Sequence, residues 1–167
     1  MQISTDKVKE LRDQSGAGIM ECRNALVKTE GNIQQAIEIL KQQSLLKVEK
    51  KKTRTASQGL VEAYIHAGGR IGAIIELNCE TDFVARTDEF KKLAHELAMQ
   101  VTAQDPQFVS AEEAPEGVEG GPQAACLLLQ PYIRDPSLTI QDIINQTIAK
   151  VGENIKVGKF TRFALGE

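Results

Sequence analysis

The sequence predicts an α+β protein, in which an N-terminal module of three helices precedes a small antiparallel sheet of about three strands packed on helices. The first 50 residues contain three stretches with the apolar spacing of amphipathic helices, separated by breaks that contain glycine. Farther along, two strand-like runs flank Gly68-Gly69, and two long amphipathic segments follow them. Helices first and an antiparallel hairpin afterwards are typical of the α+β class.

The three-helix module is expected to span residues 1–50. Ser4 or Thr5 can cap the first helix, and the glycines of Ser15–Gly18 end it. Apolar side chains at helical spacing mark the second and third helices: Ile19, Cys22, Ala25 and Leu26, then Ile33, Ala36, Ile37 and Leu40. Three short helices bury little surface, so this module is expected to be attached to a larger domain.

A polar stretch from Lys47 to Ser57 has no apolar period and marks the predicted domain boundary, with 51–57 as the linker. Residues 1–56 carry 11 Lys and Arg against 7 Asp and Glu, a net charge of +4, whereas the remainder carries a net −7. A run of lysines can grip phosphates, but this one has no interleaved aromatic residues. We therefore interpret it as a solvated linker or helix end and expect no nucleic-acid partner.

The core domain is expected to span residues 58–167. Residues 59–66 and 71–77 predict a hairpin, residues 88–103 a helix, and residues 110–122 an acidic loop. A last helix follows Leu138-Thr139, and residues 155–165 form a final strand in which Ile155, Val157 and Lys159 share one face and Phe160 and Phe163 lie on opposite faces. These elements predict a sheet packed on two main helices.

Composition narrows the classes of function. At 41% hydrophobic and 26% charged residues the chain is ordinary for a globular protein, without a signal peptide or a membrane span, and a cytoplasmic location is the default. The three cysteines and two histidines show no metal-ligand spacing, so no metal, disulfide or cofactor is expected. A thiol enzyme with Cys79 as nucleophile and His66 or His95 as base is a minor alternative, because free cysteines are usually buried hydrophobes.

The stretch from Asn78 to Arg86 lies where a buried strand meets a helix, a place where a rigid scaffold presents side chains. In one interpretation Thr81 or Asp82 caps a helix and Phe83 fills the core. In the other, Phe83 is an exposed wedge and Asp82 is its polar neighbour. The first interpretation requires one unbroken helix that places Phe83 on the stripe of Phe90, although Thr87 followed by two acidic residues predicts a new helix start.

Four stretches, in order along the chain, carry a resemblance to a known family: Val8–Arg12, Gly16–Leu26, Leu77–Arg86 and Gly152–Phe163. Together they resemble elongation factor Ts, the guanine-nucleotide exchange factor that releases GDP from elongation factor Tu during translation elongation. The resemblance implies that the first module is a ubiquitin-associated-like (UBA-like) three-helix bundle.

The resemblance also implies roles for individual residues. Thr81, Asp82, Phe83 and Val84 correspond to the segment that disturbs the magnesium and phosphate site of the partner, with Phe83 as the wedge. Arg12, Ile19, Met20 and Arg23 correspond to the contact of the first module with the nucleotide domain of that partner. The expected partner is elongation factor Tu, both GDP-bound and nucleotide-free, and the activity is exchange by protein–protein interaction rather than enzymatic catalysis.

The chain departs from the family pattern in three ways. Ile19 and Glu21 stand where the family commonly has Met and Asp. The core occurs once, whereas long members carry two core halves, and a homodimer is expected to supply the missing half. The helical insertion before Gln130-Pro131-Tyr132 is reduced to residues 116–125. The alternative function is a UBA-like adaptor that binds another protein through the first module, which leaves the Thr81–Phe83 junction without a role.

Overall fold

The computed structural model describes Ile3–Glu167. The chain forms two compact units, and the boundary along the sequence lies between Lys51 and Lys52. Met1 and Gln2, the first residues of the predicted module, lie outside the described range. The first unit contains the helices α1 (Thr5–Ser15), α2 (Ile19–Lys28) and α3 (Ile33–Glu49). Ser4 caps α1 by accepting from the backbone N–H of Lys7, and Gly16 ends it in the left-handed conformation.

Leu11, Cys22, Ala25, Leu26, Ala36 and Leu40 form the buried core of this unit. Helix α3 continues to Glu49 and therefore takes in the first three residues of the stretch expected to be irregular from Lys47 onward. Val48 is a buried residue within that charged stretch. It continues the apolar side of the helix into the last turn, so the helix extends to Glu49.

The second unit contains five strands and four α-helices within the described residues, and a short 3-10 helix at Leu127–Leu129. The strands and α-helices are β1 (Gln58–Ile65), β2 (Ile71–Cys79), α4 (Asp82–Ala85), α5 (Asp88–Gln104), α6 (Pro122–Ala125), β3 (Pro131–Tyr132), β4 (Asp135–Thr139), α7 (Ile140–Val151) and β5 (Ile155–Ala164). The main sheet has the order β1-β2-β5 and is antiparallel throughout, which confirms the predicted α+β class and the three-stranded sheet. Gly59 admits the close approach of β1 to β2, because a Cβ there would overlap the carbonyl oxygen of Leu77.

Helix α5 covers one face of the sheet and α7 packs against α5, so the two predicted main helices form successive layers. Strand β5 contains a bulge, because Lys159 pairs with Glu76 while Val157 pairs with Leu77, leaving Gly158 as the extra residue. The predicted grouping of Lys159 with Ile155 and Val157 is therefore wrong beyond Gly158. Phe160 faces the core side and Phe163 the other side, as predicted.

The face of the sheet opposite α5 is uncovered within this unit. Cross-strand rows there join Ile65, Gly72 and Phe163, and then Ala63, Ile74 and Thr161. Large apolar side chains are exposed along these rows and at their ends: Val61, Ile65, Ile74, Phe163 and Leu165. We call this surface the open sheet face. Its apolar side chains form one contiguous patch, whereas the exposed apolar residues of ordinary surfaces are scattered singly.

The short hairpin of β3 and β4 was not predicted from the sequence. It is fixed to α5 by the fully buried Gln100, which donates to the side chain of Gln130 and the carbonyl of Pro131 and accepts from the N–H of Ile133. Tyr132 donates to Glu96 at 2.6 Å. Burial and this hydrogen bond raise the pKa of Tyr132 to about 12.

Candidate functional site

The junction between β2 and α5 contains the separate one-turn helix α4. Thr81, in an extended conformation, is its N-cap and accepts from the N–H of Val84 at 3.4 Å, so Thr81 rather than Asp82 supplies the cap. Thr87 then returns to an extended conformation (φ −69°, ψ 149°) and caps α5 by accepting from the N–H of Phe90. The chain is therefore not one continuous helix from Asp82 to Gln104.

This interruption separates the environments of two phenylalanines. Phe90 is 0% exposed in the core, whereas Phe83 is 79% exposed and projects from the outer side of α4. Val84, on the inner side, is buried, and its carbonyl accepts from the hydroxyl of Thr87 at 2.7 Å. The buried Val84 therefore fixes one side of α4 and leaves the ring of Phe83 accessible to another molecule.

Asp82 is exposed beside Phe83 and forms an ion pair with Arg86 at 3.0 Å across one turn. Both partners are largely in water, where such pairs contribute little to stability. The carboxylate therefore remains available to a partner at small cost to the fold.

A polar cluster of widely separated residues holds α4 in place, and sequence patterns gave no sign of it. Glu153 accepts from both the backbone N–H and the hydroxyl of Thr81, at 3.0 and 2.6 Å. In the opposite direction, Glu80 accepts from the backbone N–H of Asn154 at 2.7 Å and also lies 3.7 Å from Arg54. Glu80 and Thr81 lie in one stretch of the family resemblance and Glu153 and Asn154 in another, but neither stretch predicts the contact between them.

The four expected contact residues of the first unit are all exposed. Ile19 and Met20 open α2 with 56% and 60% of their surface accessible, and Arg23 follows one turn later on the same helix. Arg12 is exposed in the last turn of α1.

The glycine turn before α2 is itself fixed. Glu21 accepts from the N–H of Gly18 at 3.2 Å and from Lys47, whose hydrogen bond lowers the pKa of this carboxyl group. Buried Cys22 also contacts the carbonyl of Ala17. These contacts keep Ile19 and Met20 on the outer surface of the unit.

The geometry disfavours a thiol enzyme at Cys79. This residue is fully buried, its Sγ donates to the carbonyl of Thr81 at 3.1 Å, and burial raises the pKa of the thiol. The histidines have other partners, because His66 contacts the hydroxyl of Tyr64 and His95 contacts Glu62. From Ile3 onward, no three side chains of His, Cys, Asp or Glu form a group able to hold a metal ion.

Helices able to cross a membrane are absent from the described part of the chain, because none is both long and apolar enough.

These features are typical of a class of proteins that act by presenting side chains to another protein rather than by enclosing a substrate. Comparison with known sequences agrees, since the family model for "Elongation factor TS" matches residues 2–121. The chain belongs to the elongation factor Ts family.

Curated relatives named elongation factor Ts match nearly the whole chain. The protein of Thermoanaerobacter sp. (strain X514) is 45% identical over 99% of this chain and 96% of its own length. The protein of Coprothermobacter proteolyticus is 45% identical over 100% of this chain and 100% of its own length. That of Thermotoga neapolitana is 43% identical over 100% of this chain and 99% of its own length. The first alignment spans 195 positions against 167 residues here, so that relative carries at least 28 residues that this chain lacks.

Proposed function

We propose that this chain is a guanine-nucleotide exchange factor that binds elongation factor Tu and accelerates its release of GDP. The observation that carries the proposal is Phe83, which is 79% exposed on a one-turn helix anchored at Thr81 and Val84, in a chain of this family. The proposed activity needs no chemistry on a substrate, so the chain acts by protein–protein interaction and not as an enzyme. Its site of action is then the cytoplasm, where translation takes place.

The proposed mechanism follows from the way a P-loop GTPase holds its nucleotide. Backbone donors and a magnesium ion with few protein ligands hold the phosphates, so a small displacement of either weakens binding. This chain contains no GxxxxGK[ST] motif of its own. Phe83 inserted near that site, with Asp82 beside it, displaces the magnesium and phosphate ligands. Coupling between two binding sites is reciprocal. A protein that binds the nucleotide-free GTPase more tightly than the GDP-bound form therefore lowers the affinity of the GTPase for GDP by the same ratio.

The first unit supplies a second proposed contact through Arg12, Ile19, Met20 and Arg23. We assign residues 1–50 to binding the GTPase, residues 51–57 to a linker, and residues 58–167 to the exchange and dimerisation core. Two linked contacts raise the effective concentration of each for the same partner molecule. The first contact therefore increases the time that Phe83 spends at its target.

A homodimer completes the proposal, with the open sheet face as its interface. The exposed Ile65, Ile74 and Phe163 need cover, and β1 and β5 are both edge strands. Glu76 and Lys159 lie opposite each other on this face, so it presents both signs of charge to a second copy related by a two-fold axis. A second copy thus supplies the layer that a second core half supplies in long family members.

The direct test measures the release of a fluorescent GDP analogue, mantGDP, from elongation factor Tu with and without this protein. We expect the rate to rise with the concentration of the factor and to saturate. The control replaces the GTPase with a P-loop GTPase outside translation, whose release rate should not change. No acceleration with elongation factor Tu at micromolar factor would contradict the proposal.

A further inference from the structure

The turn formed by Gly152, Glu153 and Asn154, between α7 and β5, has no part in the proposed mechanism, yet it contacts the site directly. Glu153 places both carboxylate oxygens on Thr81, one accepting from the backbone N–H at 3.0 Å and the other from the hydroxyl at 2.6 Å. Thr81 in turn is the N-cap of the helix that carries Phe83. The carboxylate therefore acts on the first hydrogen bond of α4.

The hydroxyl of Thr81 has a single proton, and the contact with Glu153 fixes where it points. Because the proton is donated to the carboxylate, the lone pairs of Oγ1 remain free to accept from the N–H of Val84 at 3.4 Å. A helix of four residues cannot hold its own conformation, because the cost of nucleation exceeds the gain from one turn. The orientation of α4 thus depends on its cap and on the group that orients the cap.

The turn that carries Glu153 is itself held in place. Asn154 is 2% exposed, and its side chain donates to the carbonyls of Lys52 and Arg54 at 3.3 and 2.8 Å. Its backbone N–H donates to Glu80, the residue just before Thr81. Glu153 and Glu80 therefore form reciprocal bonds between the same two segments. A carboxylate fixed in this way needs no rearrangement to orient Thr81.

We propose that Glu153 is a positioning residue for Phe83: it orients Thr81 and so holds α4 in the one conformation that presents the ring to the partner. Glu153 acts through Thr81 and makes no contact with the partner. The inference rests on the proposed exchange activity. It predicts that removing the carboxylate impairs exchange only when Phe83 is present.

The test is a double-mutant cycle on mantGDP release from elongation factor Tu, using wild type, Glu153→Ala, Phe83→Ala and the double variant. We expect Glu153→Ala to slow factor-stimulated release by about fivefold or more in the Phe83 background, and by less than about twofold in the Phe83→Ala background. Equal losses in both backgrounds would overturn the inference, as would no loss in the Phe83 background. If wild type gives no stimulation at all, the proposed function itself fails, which is a distinguishable result.

Hydrogen exchange of backbone amides gives a readout that does not depend on activity. In Glu153→Ala, the amides of Thr81 and Val84 should lose protection, whereas that of Phe90, capped by Thr87, should not. Unchanged protection at Thr81 and Val84 would overturn the inference.

Two further variants complete the design. Glu113→Ala is the matched control, because Glu113 also accepts a backbone N–H, from Val109 at 3.2 Å, but lies in the acidic loop. It should leave release unchanged. If Glu153→Ala fails to fold, Glu153→Gln replaces it in the same cycle, since its amide oxygen still accepts from the Thr81 N–H but not also from the hydroxyl. We then expect a smaller loss that again disappears in the Phe83→Ala background, and a loss of equal size in both would overturn the inference.

Discussion

Two phenylalanines seven positions apart show how one cap residue determines whether a side chain is buried or exposed. Phe90 and Phe83 would share the buried stripe of an unbroken helix, but the extended conformation of Thr87 starts a new helix between them. Phe90 then fills the core while Phe83 remains in solvent. The cap at Thr87 therefore separates a buried phenylalanine from an exposed one.

Alanine substitutions should separate the two roles. Phe83→Ala should change the free energy of unfolding by under about 1 kcal/mol, because the ring is already in water. It should also slow stimulated mantGDP release by roughly tenfold or more, the scale of an interface anchor of about 2 kcal/mol. Phe90→Ala should cost about 3–5 kcal/mol of stability, as buried phenylalanine truncations do. Thermal melts and release assays on both variants give the comparison.

The neighbouring acid Asp82 also contributes little to the stability of the fold. Asp82→Ala removes only an exposed ion pair with Arg86, since Thr81 is the cap, so it should change stability by no more than about 0.5 kcal/mol. A strongly destabilised Phe83→Ala protein that still exchanges normally would overturn the assignment of the wedge.

Tyr132 predicts a dependence of stability on alkaline pH. Its pKa in the folded protein is about 12 against an ordinary 10.0, because burial and the contact with Glu96 disfavour the phenolate. The stabilisation is fully present below pH 10 and is lost as the pH rises toward 12, since the unfolded chain gives up its proton first.

The measurement is an ultraviolet absorbance titration of a Tyr64→Phe variant, in which Tyr132 is the remaining tyrosine. The phenolate of Tyr132 should form near pH 12. In a Tyr132→Phe variant, the free energy of unfolding should fall less between pH 10 and pH 12 than in the wild type. A midpoint near 10 in folded protein would contradict the prediction.

Among the elements, the long helices and the central hairpin could be predicted because each carries its own signal. The 3.6-residue period of α5 and the Gly-Gly turn before β2 depend only on neighbouring residues. The hairpin of β3 and β4 lacks such a signal, because it contains prolines and is held by Gln100 from another element. The bulge at Gly158 was not predicted for the same reason, since its position depends on the register of β5 against β2.

The same distinction applies to the candidate site. An exposed Phe83 was one of two interpretations; the helix start at Thr87, a local pattern, disfavoured the buried one, and the family resemblance implied the role of the wedge. Glu153 was not predicted, because it contacts Thr81 across 72 residues and no local pattern reports such a contact. Contacts of this range depend on the tertiary fold and are absent from single-sequence periodicity.

The segment between α3 and β1 should be the first site of tryptic cleavage. Helix α3 ends at Glu49, and the basic residues that follow, Lys50, Lys51, Lys52 and Arg54, lie in turns before β1. Mass spectrometry of a short digestion should show fragments ending within 50–54. First cleavage at Lys28 or Lys41, which lie inside helices, would contradict this prediction.

The assembly prediction concerns the open sheet face. Sedimentation at micromolar concentration should show a species of twice 18.3 kDa. Phe163→Glu should convert it to the monomer, because the substitution would bury an unpaired charge in the proposed interface. The exposed Val27→Glu substitution in α2 is the control and should leave the dimer intact. A wild-type protein found only at 18.3 kDa would refute the homodimer.

The 72-residue separation between Thr81 and Glu153 also orders events during biosynthesis. A ribosome makes the chain from its N-terminus, so α4 leaves the exit tunnel long before Glu153 has been polymerised. Strand β2 likewise waits for β5, its second neighbour. During this interval the first unit, with its own core, can fold while the segment around Phe83 has no anchor. Under the proposed function, docking through the first unit precedes exchange on a nascent chain, because the anchor of α4 forms only after Glu153 has been translated.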